Sequence, residues 1–436
     1  MKEPVLHIYT DSVSRRLNYV LDLVFGARKI AYKVINDPIT FEALPEPKIV
    51  YSDRSFKNNY LTISPASILF EESIVEYQVS KDIYANVEVF TFNNQPDILA
   101  SIFYVVTLYQ EYIDDEVDLH NRSLLVNNIL YKHDMYGKLM VERWSCALIN
   151  LIEDQLSVGL NGRKIAVSTI PTFDIDHTYA YLHRSKLRKY LSLSKDFLQR
   201  DQMRLNERKD VQGGKIKDPF DTFDKILAIN EKYFNVKVFW HLGDYGKYDR
   251  NISFDNIFHK KLIKNLSQNL SIGLHPSYSS NGNPMQLAIE KKRISELLEY
   301  PVTHSRQHYL KLEIPKTYQR LIKEGFKHDY TLGFAEQPGF RAGIARPFKW
   351  FNLAKDREED FTLHPFAYMD GTLLEYMCFS IDSAKEIIDN LIDEVAEFGG
   401  DFVFIWHNET IGDYGKWKGW SSVLKHTLDT AKEKLK

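Results

Sequence analysis

Cysteine is nearly missing: the 436 residues hold two, Cys146 and Cys378. Two cysteines cannot frame a disulfide scaffold or supply a Cys-rich zinc site, and their scarcity is compatible with a reducing compartment. No apolar run approaches the roughly 20 residues of a membrane span. The opening stretch MKEPVLHIYTDS lacks the apolar core that a secretion signal carries after its basic start. Nor is there a charge excess of either sign; at a net charge of −3 nothing overall points to nucleic acid. The expectation is a cytoplasmic protein with no transmembrane segment and no nucleic-acid partner. Aromatics, by contrast, are plentiful, with 26 Tyr and 26 Phe. They suit stacking on the apolar faces of sugar rings, or simply a large core. A chain this long predicts two or three domains.

Residues 1–160 read as a smaller α+β or α/β unit. VLHIYT and PKIVYS are short, apolar and β-branched, as strands are. PDILASIFYVVTLYQEYI predicts a mostly buried helix with Pro96 in its first turn and Asp97 at its positive end. GKLMVERWSCALINLIEDQL predicts a second. No catalytic cluster converges here, so this unit is expected to be accessory. From Ile165 the pattern changes: IAVSTIPTFDID, VKVFWHLG, LSIGLHPS, PVTHSRQHYL, FTLHPFAYM and DFVFIWHN are strand-like, with amphipathic helices between them. That alternation predicts parallel pairing and a (β/α) barrel over 165–436, with its site at the C-terminal strand ends. One segment interrupts the pattern. Residues 184–217 carry eleven Lys/Arg against four acids, which reads as an exposed helical insertion or as a basic surface for an anionic glycan carrier or membrane face.

The polar residues at strand ends carry the chemistry. In TFDIDH, Asp174 and Asp176 are two apart on extended chain, so both carboxylates project to one side. Paired acids repel unless a proton or cation intervenes, although an Asp-x-Asp can also cap a helix. His275 closes the strand of GLHPS, and Pro276 turns the chain out of the sheet. His304, Arg306 and His308 alternate in THSRQHYL and are expected to share one face. His407 stands at the tip of FVFIWHNE. Imidazoles, a guanidinium and carboxylates at the ends of apolar strands suit a metal site better than a core. Two further residues stand out. Arg341, between Gly339 and Gly343, is either a loop arginine over the site or half of a structural salt bridge. Asp370 in MDGTL is either a contact for sugar hydroxyls or a turn acid.

The order TFDID, GLHPS, SRQHYL, GFKHDYTLG, IWHN resembles the polysaccharide deacetylase superfamily, the NodB-homology or carbohydrate esterase group, across about residues 165–436. It is especially similar to the bacterial subgroup in which an uncharacterised N-terminal domain precedes the barrel. The resemblance implies a distorted (β/α) barrel that removes N- or O-acetyl groups from a polysaccharide or glycan precursor with one divalent metal, commonly zinc. Residue by residue, it implies that Asp174 is the base, Asp176 and His275 are metal ligands, Arg306 pairs with the base and His407 is the general acid. The sequence departs from the family at Ser279, where a second ligand histidine is expected, and in lacking a proline after Arg306. His308 is inferred to supply the missing imidazole. Asp329 matches the family's acidic position and joins Arg341 and Asp370 as a candidate substrate contact. Two other functions fit the same residues: a catalytically silent glycan-binding relative, and a metal-dependent amidohydrolase of a small non-sugar amide.

Overall fold

The computed structural model describes residues 4–436; residues 1–3, which open the MKEPVLHIYTDS stretch, lie outside the described residues. The N-terminal region forms two small sheets. Strands β1 (Leu6–Tyr9), β2 (Tyr32–Ile35), β3 (Lys48–Tyr51) and β4 (Leu61–Ile63) pair in parallel in the order β2-β1-β3-β4. Every residue of β1 and β3 is buried, as expected for parallel strands covered on both faces. β5 (Val79–Tyr84), β6 (Val87–Phe92) and β7 (Gln95–Pro96) form an antiparallel meander. Asp97 caps the buried helix Ile98–Val106, accepting from the N–H groups of Leu99 and Ala100. The helix stops short of YQEYI because Leu108 takes a left-handed conformation, which breaks the hydrogen-bond ladder.

The remainder is a mixed α/β unit around one nine-stranded sheet. Its strands are β8 (Val167–Ile175), β9 (Lys237–His241), β10 (Ser271–His275), β11 (His304–Ser305), β12 (His328–Asp329), β13 (Phe348–Asn352), β14 (Arg357–Leu363), β15 (Tyr368–Met369) and β16 (Gly400–His407). Their order is β13-β14-β12-β11-β10-β9-β8-β16-β15, parallel throughout except for the β13–β14 pair. Phe239 of β9, Tyr330 beyond β12, and Val403 and Ile405 of β16 share one buried cluster with Leu310 and Phe366. On a flat sheet β12 and β16 would stand about 24 Å apart, five spacings of ~4.8 Å, so these side chains meet only because the sheet curls. It does not close: β13 and β15 are its edges. The expected barrel is thus a curled, open sheet.

No strand pairs across residues 160–165 among the described residues, yet a single apolar cluster runs through both regions. Buried ion pairs cross as well: Arg341 to Glu111 at 2.7 Å and Arg346 to Glu142 at 2.8 Å. No helix among the described residues is long and apolar enough to cross a membrane.

Candidate functional site

Three strand exits bring the site together. Asp174 lies near the end of β8 and Asp176 just beyond it, while His275 closes β10. The exit of β11 is bonded onto that of β10: Arg306 N–H donates to Leu274 O at 3.1 Å, and His308 N–H to Pro276 O at 3.2 Å. PVTHSRQHYL is therefore a strand only at His304–Ser305. Tyr309 (φ 60°) and Leu310 (φ 51°) follow in left-handed conformations, each costing about 1–2 kcal/mol. His304 and Arg306 both pack against Tyr330 inside the curl; a turn, not a continuing strand, brings His308 to the site.

The imidazoles are oriented from behind. His275 Nδ1 lies 2.6 Å from Arg306 O. A carbonyl only accepts, so that nitrogen carries a proton; Nε2, a bare lone pair in the neutral tautomer this selects, is 3.1 Å from Asp176 Oδ1. His308 Nδ1 lies 3.1 Å from Asp249 Oδ1, and its Nε2 is 3.3 Å from Asp176 Oδ2. A lone pair facing a carboxylate is repulsive unless a cation or proton lies between them. Asp176 Oδ1 is buried without a hydrogen-bond partner, and ligand atoms of Asp176, His275 and His308 all lie within 4.8 Å of one another. One carboxylate and two imidazoles form a donor set that fits a zinc-like divalent ion. In the ion-free set burial lowers the His308 pKa, but Asp176 and Asp249 outweigh it and lift the group to about 9. Burial also opposes ionisation of Asp176, and the two imidazoles outweigh it, holding the carboxyl well below its usual range.

Two more pairs flank this centre. Arg306 donates to Asp174 Oδ1 at 2.9 Å, to Thr172 Oγ1 at 2.7 Å and to Tyr330 O at 2.9 Å, all buried. Its guanidinium lies over the Phe239 ring at 4.5 Å. Gly273 of β10 makes room for that ring, since a Cβ there would meet it at 2.7 Å. On the other side His407 bonds Asp370 twice, N–H to Oδ2 at 2.9 Å and Nδ1 to Oδ1 at 2.8 Å. Its Nε2 is 3.8 Å from Asp176 Oδ2. Burial would lower the His407 pKa, but Asp370, Asp176 and Asp174 raise it well above the usual value. A cleft of about 430 Å³ opens over these groups.

The three residues expected at the substrate are buried and committed elsewhere. Asp329 accepts from Ser305 Oγ, Thr331 N and Thr331 Oγ1, each at 2.9 Å, and burial raises its pKa to about 6. Arg341 makes the structural salt bridge, two-pronged to Glu111. Asp370 is the acceptor that orients His407, held in turn by the Thr410 hydroxyl at 2.5 Å. All three are thus held by the protein's own partners, and of them only Asp370 also lines the cleft. Ser279, where the family's second histidine is expected, backs Asp249 instead: its N–H donates to Asp249 Oδ2 at 3.2 Å.

Two contributors were not legible from the motifs. Asp249 bridges His308 and His241 Nε2, the latter at 3.0 Å, and also accepts from Tyr278 N at 2.8 Å. His241 stands at the tip of VKVFWHLG, so the strand-end rule that selects His275 and His407 selects it equally. It forms a second candidate metal group with Asp249 and His308, but Asp249 accepts from both rings, which places the pair behind the centre. The other contributor is the N-terminal turn 117–123. Arg122, held by Asp118 at 2.6 Å, donates to Tyr309 O at 3.3 Å, and the His120 ring lies 4.8 Å from that of Tyr309. The supposed accessory region therefore buttresses the strained turn beside His308 and lines the cleft through Arg122.

Residues 6–157 match DUF7033, a family of unknown function. No curated protein matches the chain. Among solved structures, a Mycobacterium smegmatis protein described as a polysaccharide deacetylase is 14% identical, covering 61% of this chain and 84% of its own, with a TM-score of 0.40. PuuE allantoinase is 12% identical over 62% of this chain and 84% of its own, with a TM-score of 0.37. A Pseudomonas aeruginosa PAO1 protein described as a polysaccharide deacetylase is 10% identical over 62% and 85%, also at 0.37.

Proposed function

We propose that this protein is a metal-dependent hydrolase of the polysaccharide deacetylase type, releasing acetate from an N- or O-acetylated glycan. One observation carries the reading: a half-buried Asp176 carboxylate whose Oδ1 is buried and unpartnered, faced by imidazole nitrogens whose opposite ring atoms are already held. Asp176, His275 and His308 would hold the ion. Bound there, a divalent ion would polarise the acyl carbonyl and acidify a water. Asp174 would take the proton of the attacking water, its other partner being Arg306, which donates to Oδ1 at 2.9 Å. His407 enters the reaction protonated, since the Asp370 carboxylate paired with its ring raises its pKa. It donates to the leaving nitrogen or oxygen while Asp370 fixes its ring. Asp249 and Arg122 position: the first orients His308, the second braces the turn that carries it. The division into a unit at 1–160 and one at 165–436 belongs to this proposal, with the former completing the wall of the cleft.

Acetate release from N- and O-acetylated oligosaccharides by the zinc-loaded protein tests the reading. His407→Ala should slow it by about 10²–10⁴, the usual worth of a positioned acid; an undiminished rate would remove His407 from the chemistry. The size of the cleft gives the amidohydrolase reading its support, because about 430 Å³ suits a small molecule as well as one sugar unit. Turnover of a small acyl amide with no turnover of any acetylated glycan would select it.

A further inference from the structure

The helix Lys186–Leu198 is built inside out. Its polar residues Ser192 and Asp196 turn toward the protein, where Arg208 of the helix Gln202–Gln212 donates to Ser192 Oγ at 2.7 Å and to the buried Asp196 carboxylate. Arg188 reaches Asn251 O at 2.9 Å and lies 3.6 Å over the Tyr245 ring. The opposite face carries Leu187, Tyr190, Leu191, Leu193, Phe197 and Leu198, all exposed, with Phe197 at 72% and Leu198 at 80%. At helical periodicity these six fall within one arc of about 160°. Met203, opening the next helix, is exposed too. An exposed arc this rich in apolar side chains, interrupted only by Ser194 and by Lys186 at its start, marks a surface that something covers.

The charges select what covers it. Residues 184–200 contain six Lys/Arg and a single acid, Asp196, whose carboxylate is already paired with Arg208. Lys186 and Lys189 are exposed on the same helix. Leu, Phe and Tyr bordered by cations, with no free carboxylate among them, match a bilayer that offers an acyl layer beneath anionic headgroups. A second copy of this helix fits worse, since it would bring cation against cation.

We propose that the helix Lys186–Leu198 docks the protein on an anionic lipid surface. Docking places the bilayer beside the substrate entrance: Arg188 ties the helix to the segment 245–251, from which Tyr248 and Arg250 line the cleft. The surface stands on packing and charge and does not depend on the acetate-releasing reading.

Vesicle sedimentation of the full chain tests it, with phosphatidylcholine alone and with added phosphatidylserine. The wild type should pellet with the phosphatidylserine vesicles. Phe197→Glu with Leu198→Glu should cut that partitioning by about tenfold or more, because apolar insertion supplies much of the affinity. Lys186→Glu with Lys189→Glu should abolish the preference for phosphatidylserine. All four side chains are exposed, so melting temperatures should hold and a folding defect would be visible. Wild-type protein that stays in solution with phosphatidylserine vesicles overturns the proposal. So does a dimer in analytical ultracentrifugation that the Phe197/Leu198 double substitution dissolves, since the stripe would then be a protein interface.

Discussion

His275, His308 and His407 each have Nδ1 engaged by an acceptor, Arg306 O, Asp249 or Asp370, and each turns Nε2 toward Asp176, at 3.1, 3.3 and 3.8 Å. His304, His328 and His364, on the same sheet, are backed by one another. His304 stacks on His328 at 4.5 Å, His328 Nδ1 lies 3.1 Å from His364 Nε2, and His364 stacks on Tyr330 at 4.2 Å. No carboxylate pairs with this second group among the described residues. Burial, with Lys237 and the neighbouring rings adding to it, lowers both the His304 and the His364 pKa to about 3. Six histidines in or just beyond the strands of one sheet thus divide by what stands behind each ring. Held by a carboxylate or carbonyl and aimed at an acid, a ring is placed for the ligand or proton-donor role proposed for it. Stacked on aromatics without an anion, it is neutral packing.

Asp174→Asn breaks the first group hardest. It strands the Arg306 guanidinium without its anion, and removing one partner of a buried pair costs about 3–5 kcal/mol. Denaturant melts should show that loss, and acetate release should fall by about 10²–10⁴. A variant as stable as the wild type would mean that the pair in the fold is weaker than its burial and 2.9 Å contact imply. Asp249→Asn acts one step back. It keeps the shape but gives up the carboxylate behind His308, so affinity for zinc should fall about 10–100-fold, the usual effect of losing such a partner. Competition against a chromophoric chelator measures it. An unchanged affinity would show that His308 needs no anion behind it, and the distinction between the two groups would lose its basis.

These differences were unevenly legible in the sequence. Strand-tip residues were easy: Asp174, Asp176, His275 and His407 end apolar runs that could only be buried, so local pattern alone places them. Arg306 and His308 reach the same cluster, although by a turn that alternation did not foresee, because two consecutive left-handed residues, Tyr309 and Leu310, leave no periodic trace. Asp249 and Arg122 were invisible for another reason. Each sits in a polar loop indistinguishable from any solvated one, and acquires its role from partners 59 and 187 residues away. The burial of the three expected substrate contacts was hidden for the converse reason: Asp329, Arg341 and Asp370 are polar residues at plausible places, and sequence carries no measure of burial. Nor does helical periodicity tell which face looks inward. The apolar stripe of Lys186–Leu198 is plain in the sequence, but its outward orientation is set by Ser192 and Asp196 meeting Arg208.

The smallest expected effect sharpens the contrast from the other side. His364→Phe keeps a ring on Tyr330 and, if the second group is packing only, should change stability near pH 7 by no more than about 1 kcal/mol and leave zinc affinity untouched. Its signature lies in acid. The His364 pKa is about 3 in the folded chain against an ordinary 6.5. Above 6.5 both states hold the ring neutral, and its contribution is fully present. As the pH falls from 6.5 toward 3 the unfolded chain takes up a proton that the folded chain refuses, so stability drops by at most about 1.4 kcal/mol per pH unit. Phenylalanine takes up no proton. Between pH 7 and pH 5 the wild type should therefore lose up to about 2 kcal/mol more than the variant in urea melts. Parallel losses would show that the folded chain protonates His364 as readily as the unfolded chain does, so that burial does not hold the ring neutral; a smaller loss in the wild type would mean an anion stands behind it, as Asp249 stands behind His308.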